Sequence, residues 1–293
     1  MTNAVIDAAG LAELVSALID RGYRVVGPPT VSDNAIVLAE LESADELPLG
    51  WGVDVGPGHY RLRRRDDDAV FGHSAGPQSW KQFLHPPPRQ RVWSSDGAAP
   101  PEDSPRYAFL GGVRGGCDLA AIAILNGVLG TGSHPDQGFV GGRLGRVFVV
   151  AVNCTEPGGL CFCASMGTGP EVGPGYDLAL TECVDSSGRH YLVDVGSDEG
   201  AQVLAALPHR NVDPRRNRFG EKPSGRCRTA YGRQMPTTDL RELLIESRES
   251  PHTGTRSPVG VSPAATAPWR VPPASAPASP TSPISPVSTA NDG

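Results

Sequence analysis

Two short apolar runs separated by an apolar helical stretch constrain this chain more than any other feature. Y-A-F-L-G-G-V at residues 107–113 predicts a buried strand, and R-V-F-V-V-A-V-N at 146–153 predicts a second. Between them C-D-L-A-A-I-A-I-L-N, residues 117–126, is rich in Ala, Leu and Ile and predicts a helix. Strands alternating with helices bury their apolar faces in layers. The fold expected is therefore α/β (or α+β), a layered mixed sheet with flanking helices.

The flanking sequence extends this pattern. Apolar residues recur at helical spacing from Ala4 to Asp20, and R-G-Y-R-V-V-G-P-P reads as a short strand closed by prolines. A-I-V-L-A-E-L reads as a further strand, and S-A-D-E-L-P as a capped helical turn. Y-D-L-A-L-T-E-C-V-D, S-S-G-R and H-Y-L-V-D-V-G-S together read as a β-hairpin. E-G-A-Q-V-L-A-A-L-P reads as a helix ended by Pro208. These elements predict a core domain over residues 1–210, then a linker with a short helix over 211–249. From 250 to 293 the chain is rich in Pro, Ser and Ala, with ten prolines between Pro251 and Pro286 and no acidic residue between Glu249 and Asp292. Such a segment buries too little apolar surface to offset its ordering entropy, so a disordered tail is expected.

Charge and pattern exclude several functions. A net charge of −6 and a pI near 5.6 speak against a nucleic-acid partner. No apolar run reaches the roughly 18 to 20 residues of a membrane span, and the N-terminus lacks a signal-peptide pattern, which predicts no membrane insertion and a cytoplasmic location. Y-R-L-R-R-R-D-D-D-A-V-F reads as an exposed strand and turn with solvated charges. His73, His85, His134, His190 and His209 read as ordinary surface residues. No nucleophile elbow, phosphate-binding loop or dinucleotide fingerprint is present, so hydrolysis and nucleotide binding have no local support, and no catalytic residue is assigned.

The candidate site is the block N-C-T-E-P-G-G-L-C-F-C at 153–163, which holds three of the six cysteines. If Cys161 and Cys163 lie on a strand, both thiols face the same side. A turn at Pro157-Gly158-Gly159 can then bring Cys154 to them. Cys117 is a fourth candidate, because it follows a glycine-rich strand end and opens the predicted helix, where exposed N–H groups and the helix dipole favour a thiolate. Converging thiolates suit a soft metal or an iron–sulfur cluster. A zinc-stabilised structural or interaction domain on the same ligands is the alternative, although paired C-x-x-C knuckles are absent. A redox pair is disfavoured for the same reason. Cys183 and Cys227 read as small buried side chains.

F-V-V-A-V-N-C-T-E-P-G-G-L-C-F-C-A-S-M-G-T-G-P-E, followed by G-Y-D-L-A-L-T-E, closely resembles the iron–sulfur β subunits of sulfhydrogenases and the A subunit of anaerobic sulfite reductases. Y-R-L-R-R-R-D-D-D-A-V-F-G, G-P-Q-S-W-K-Q-F-L-H-P-P and F-L-G-G-V-R-G-G-C-D-L-A-A-I are similar to further elements of that family. The resemblance spans roughly residues 10 to 245. It implies a cytosolic electron-transfer subunit of a hydrogenase or of a sulfite or sulfur reductase complex. Cys117, Cys154, Cys161 and Cys163 would ligate a 4Fe-4S cluster, with FAD and NAD(P) bound only by a partner flavoprotein and the chemistry performed by a catalytic reductase or hydrogenase subunit.

Members of that family continue beyond G-R-Q-M-x-T-T-x-L-R-E-L-L into a ferredoxin-like C-x-x-C-x-x-C-x-x-x-C-P region, whereas here no cysteine follows Cys227. The tail is compatible with that region read in a shifted frame. A Cys codon one base earlier requires Val or Ala in this frame, and Val261, Ala264, Ala267 and Val271 supply the spacing, with Pro272 after them. Gly254 to Pro258 likewise permit W-D-E-V-A. The expectation is a subunit truncated by a one-base slip, or, at the limit, a non-functional remnant.

Overall fold

The run at 107–110 carries no charged side chain, is buried along its length and pairs on both edges. In the computed structural model the described residues are 4–29, 35–73, 79–84, 105–111, 116–131, 133, 135–136, 147–156, 158–186, 188–211 and 234–249. In chain order they form β1 (Ala4–Asp7), α1 (Ala8–Asp20), β2 (Arg24–Gly27), β3 (Ala39–Glu40), a 3₁₀ turn (Ala44–Glu46), β4 (Trp51–Gly56) and β5 (His59–Arg64). There follow α2 (Lys81–Leu84), β6 (Tyr107–Leu110) and α3 (Gly116–Leu125), the last running into a π-helical turn (Asn126–Gly130). β7 (Phe148–Val152), β8 (Leu178–Asp185), β9 (Gly188–Val195), α4 (Asp198–Ala205), β10 (Arg210–Asn211) and α5 (Leu240–Glu249) complete the series.

The large sheet has eight strands in the order β10-β1-β9-β8-β7-β6-β2-β3. Its middle, β2-β6-β7-β8, is parallel, and the strands outside it pair antiparallel. This is the mixed sheet with flanking helices that the alternation of runs predicts. Alternate side chains supply two cores. Phe148, Val150 and Val152 of β7 pack with Leu11, Leu14 and Leu18 of α1 and Val203 and Leu204 of α4. On the opposite face Tyr107 and Phe109 of β6 pack with Trp80 and Leu84, and Ala151 and Ala179 with Leu119 of α3. β4 and β5 form a separate two-stranded sheet.

Local chemistry moves some boundaries. The helix expected from Ala4 starts at Ala8, because Asp7 accepts the Gly10 N–H at 2.9 Å and caps it. Ala4, Val5 and Ile6, all buried, form a strand between β9 and β10 instead. The strand expected over 35–41 shrinks to Ala39–Glu40, since its partner β2 runs into Pro28-Pro29, which have no N–H to extend the ladder. The capped turn after Ser43, the hairpin β8–β9 and the Ser197-capped helix α4 form as expected. The chain divides into two compact units, Met1–Thr238 and Asp239–Gly293, and α5 is the described part of the second. The expected disordered tail, 250–293, lies outside the described residues. Among the described residues no helix is long and apolar enough to cross a membrane.

Candidate functional site

The cysteines gather beyond the carboxyl ends of two adjacent parallel strands. β6 leads through residues 111–115 to α3, whose second residue is Cys117. β7 ends one residue before Asn153-Cys154, and the described residues from there to β8 carry no strand or regular helix. Buried Asn153 fixes both ends of that connection. Its amide donates to the Thr181 hydroxyl at 2.8 Å, and its carbonyl oxygen accepts the Val172 N–H at 2.8 Å. Gly116 lets the start of α3 lie against the returning chain, because a β-carbon there would collide with the Thr168 and Glu171 carbonyl oxygens.

Cys161 and Cys163 do not sit on a strand. The chain turns twice instead, with Cys161 N–H donating to Gly158 O at 3.0 Å and Thr168 N–H to Cys163 O at 3.0 Å. Two glycines and the local N–H donors favour this turn over pairing with β7. Phe162 is exposed while the cysteines on either side are half-buried. The Gly158 N–H points at Cys161 Sγ, 3.2 Å away. Cys154 is buried, and its thiol donates to Glu156 O at 3.2 Å.

Of the four cysteines predicted as ligands, Cys163, Cys154 and Cys161 lie near enough to Cys117 for their charge to bear on its thiol. Burial pushes the Cys117 thiol up to about 12, and charge on Asp118, then on Cys163, Cys154 and Cys161, acts in the same direction. Cys163 Sγ and the Cys117 backbone nitrogen flank one missing methyl group, the β-carbon that Gly169 lacks. Burial therefore outweighs the helix-terminus effect expected to favour a thiolate at Cys117. Asp118 is raised to about 7, again by burial, against the lowering effect of the Trp80 indole N–H that donates to it at 3.0 Å.

These thiols are a donor set chemically suited to a soft metal or an iron–sulfur core. Among the described residues no group of three or more His, Cys, Asp or Glu side chains is arranged to hold a metal ion as it stands. Holding a metal ion would require these side chains to rearrange. The Cys154 S–H···O bond is lost when that thiol deprotonates, whereas the Gly158 N–H···Sγ bond strengthens on a thiolate. Cys183 lies apart, half-buried on β8, with Asp185 and Glu182 as its nearest charges. Cys227 lies outside the described residues, and the five described cysteines contain no disulfide.

Several contributors escape a reading of the sequence. Arg65, in the segment read as solvated charge, is only 10% exposed and forks onto both Asp67 and Glu156, at 2.6 Å in each case. Glu182 is buried on β8 and accepts the Val70 and Phe71 N–H groups at 2.8 and 2.9 Å and the Tyr191 hydroxyl at 3.3 Å. It thereby holds the chain after Arg65 against the sheet. A Glu inside an otherwise apolar strand is the signal that could have found it. His73 and His190 are buried rather than superficial, the first at the end of the segment Glu182 anchors and the second inside β9. His209 is half-buried, and His85 and His134 lie outside the described residues. Lys81 is exposed, next to a buried Trp80 stacked on Phe109.

No family model matches the chain, and neither a curated protein nor a solved structure matches it.

Proposed function

We propose that this protein is an iron–sulfur electron-transfer subunit of an oxidoreductase complex of the hydrogenase or sulfite or sulfur reductase type. The observation that carries the reading is that Cys117 opens the helix after β6 and Cys154, Cys161 and Cys163 follow the adjacent parallel strand β7, although 37 to 46 residues separate Cys117 from the other three in sequence. Open α/β sheets use that edge for ligands. The four thiols would hold the iron atoms, and the cluster would supply reversible one-electron transfer. The chain's own contributions are the Gly158 N–H aimed at Cys161 Sγ and the frame that Asn153 gives the connection. Hydrogen bonds to sulfur and burial are what tune such a group.

The reading includes a cytoplasmic location, a partner flavoprotein that carries FAD and NAD(P), and a catalytic reductase or hydrogenase subunit. It also includes loss of the ferredoxin-like region to a one-base slip between about Leu244 and Gly254. Resequencing the coding DNA tests the slip, and codons that give no cysteines in the neighbouring frame rule it out. Anaerobic purification tests the cluster: a brown protein with a broad visible band and matching iron and sulfide content is expected. A colourless protein carrying zinc would overturn the reading in favour of a zinc-stabilised domain.

A further inference from the structure

The Arg65 guanidinium is built into the fold more firmly than the segment it grips. Its backbone N–H donates to Gly50 O at 3.0 Å, and Gly72 packs so closely on the guanidinium that a β-carbon there would stand 2.7 Å from Nη1. One fork takes Asp67, through Nε and Nη2 at 2.6 Å each. Asp67 in turn accepts the Ala69 N–H at 3.2 Å, and the next two N–H groups bind Glu182. The second fork takes Glu156, through Nη1 at 2.8 Å and Nη2 at 2.6 Å. Glu156 lies between Cys154 and Cys161, and its carbonyl receives the Cys154 thiol. Three residues on, Gly159 sits so close to β4 that a β-carbon would be 2.7 Å from Val55 O.

We infer that Arg65 is the positioning residue of the cysteine block. Two parallel hydrogen bonds fix a carboxylate in direction as well as distance, so Glu156 is held like a hinge pin. The turn that follows is then registered on the β4–β5 hairpin, and the Gly158 N–H is aimed at Cys161 Sγ. Lysine, a compact point charge, cannot make both forks. Without Arg65 the Asp67 and Glu156 carboxylates would face each other unbalanced and the loop would open. This deepens the cluster reading proposed above and rests on it for its functional side, while the loop geometry can be tested on cluster-free protein.

The test uses the full chain with Arg65→Met, Arg65→Lys and Glu156→Gln. In reduced, cluster-free protein, iodoacetamide labelling is followed cysteine by cysteine by mass spectrometry. Cys154 and Cys161 are expected to react at least about tenfold faster in Arg65→Met and faster in Arg65→Lys, with Cys183 unchanged as the internal control. Should Cys183 also accelerate in Arg65→Met, the chain has unfolded, and Glu156→Gln decides, since it alters only a group 42% exposed. Rates within twofold of wild type in both Arg65→Lys and Glu156→Gln overturn the inference. A second arm adds ferrous iron and sulfide anaerobically. Arg65→Lys keeps the charge and loses the forks, so a lower midpoint potential than wild type in that variant reports the aim of the N–H···S bond alone. Faster labelling with unchanged loading and unchanged potential overturns the positioning role. A wild-type chain that takes up no iron refutes the cluster reading, and the labelling arm then judges the clamp by itself.

Discussion

Gly169→Ala adds one methyl group at the centre of the proposed site. Its β-carbon would stand 2.9 Å from Cys163 Sγ and 3.3 Å from Cys163 Cβ, with the Cys117 nitrogen 4.0 Å away. Ordinary contact begins at 3.4 Å. The sulfur must therefore retreat by about 0.5 Å, whereas metal–ligand distances tolerate about 0.2 Å. In cluster-free protein the retreat is a small matter. A displaced χ1 costs about 0.5–1.5 kcal/mol. The backbone at 169 is not left-handed, so alanine also removes unfolded-state freedom and returns about 0.4–1 kcal/mol. The thermal midpoint should accordingly move by only a few degrees, while iron and sulfide bound per chain after anaerobic reconstitution fall at least about tenfold. Gly173→Ala is the control, because nothing lies within 4 Å of its β-carbon, and it should load like wild type. A Gly169→Ala protein with the iron content and visible spectrum of wild type would show that Cys163 is not a ligand held against Gly169.

Other expectations follow from single contacts. Asn153→Ala strands the Val172 N–H and the Thr181 hydroxyl and should destabilise the fold by about 2–4 kcal/mol in urea unfolding; a change below about 1 kcal/mol refutes the staple. Burial raises the Glu182 pKa above the ordinary 4.5, so the folded chain holds a proton that the unfolded chain releases. Its contribution is most favourable at low pH and is lost as pH climbs from about 4.5 through the folded value. Denaturant midpoints should therefore fall with pH across that window in wild type, and Glu182→Gln should flatten the slope. Cys117, with its thiol raised to about 12, should be alkylated in cluster-free protein at pH 8 between about 10-fold and 100-fold more slowly than a solvated cysteine peptide. A rate equal to the peptide's would refute the buried, protonated thiol.

How much of this was legible depended on whether a signal was local. β6, α3 and β7 could be read because their apolar runs leave a segment few choices, and the hairpin β8–β9 because strand alternation brackets a short turn. β1 was misread as helix, since Ala4–Ile6 fits helical spacing and only pairing with β9 and β10 turns it into a strand. The cysteine quartet could be nominated because thiol spacing and strand ends are sequence features. Arg65 could not. A run of three arginines and three aspartates looks solvated from within, and the partner that buries one of them, Glu156, lies 91 residues away. Glu182 and Asn153 are likewise single polar residues whose partners are distant in sequence.

The charges around the quartet also bear on what it can do. A nucleophilic cysteine needs a neighbouring cation to lower its pKa. Among the described residues the influences on Cys117 run the other way: burial first, then Asp118, then the other thiols. The nearby guanidinium does not redress this, because Arg65 is already matched by two carboxylates, Asp67 and Glu156. Thiolates beside Cys117 would thus add negative charge to a partly buried space. Burial and Asp118 instead favour the protonated Cys117 thiol, and burial raises Asp118 itself to about 7. Only an occupant bringing several positive charges at once would make deprotonation favourable, which a metal group does and a substrate awaiting thiolate attack does not. The same logic separates Cys183, whose thiol is raised by burial, Asp185 and Glu182, with no other cysteine among the described residues acting on it. What distinguishes Cys117 is therefore the company of other thiols around it, and that company suits the metal-binding proposal better than a nucleophilic one.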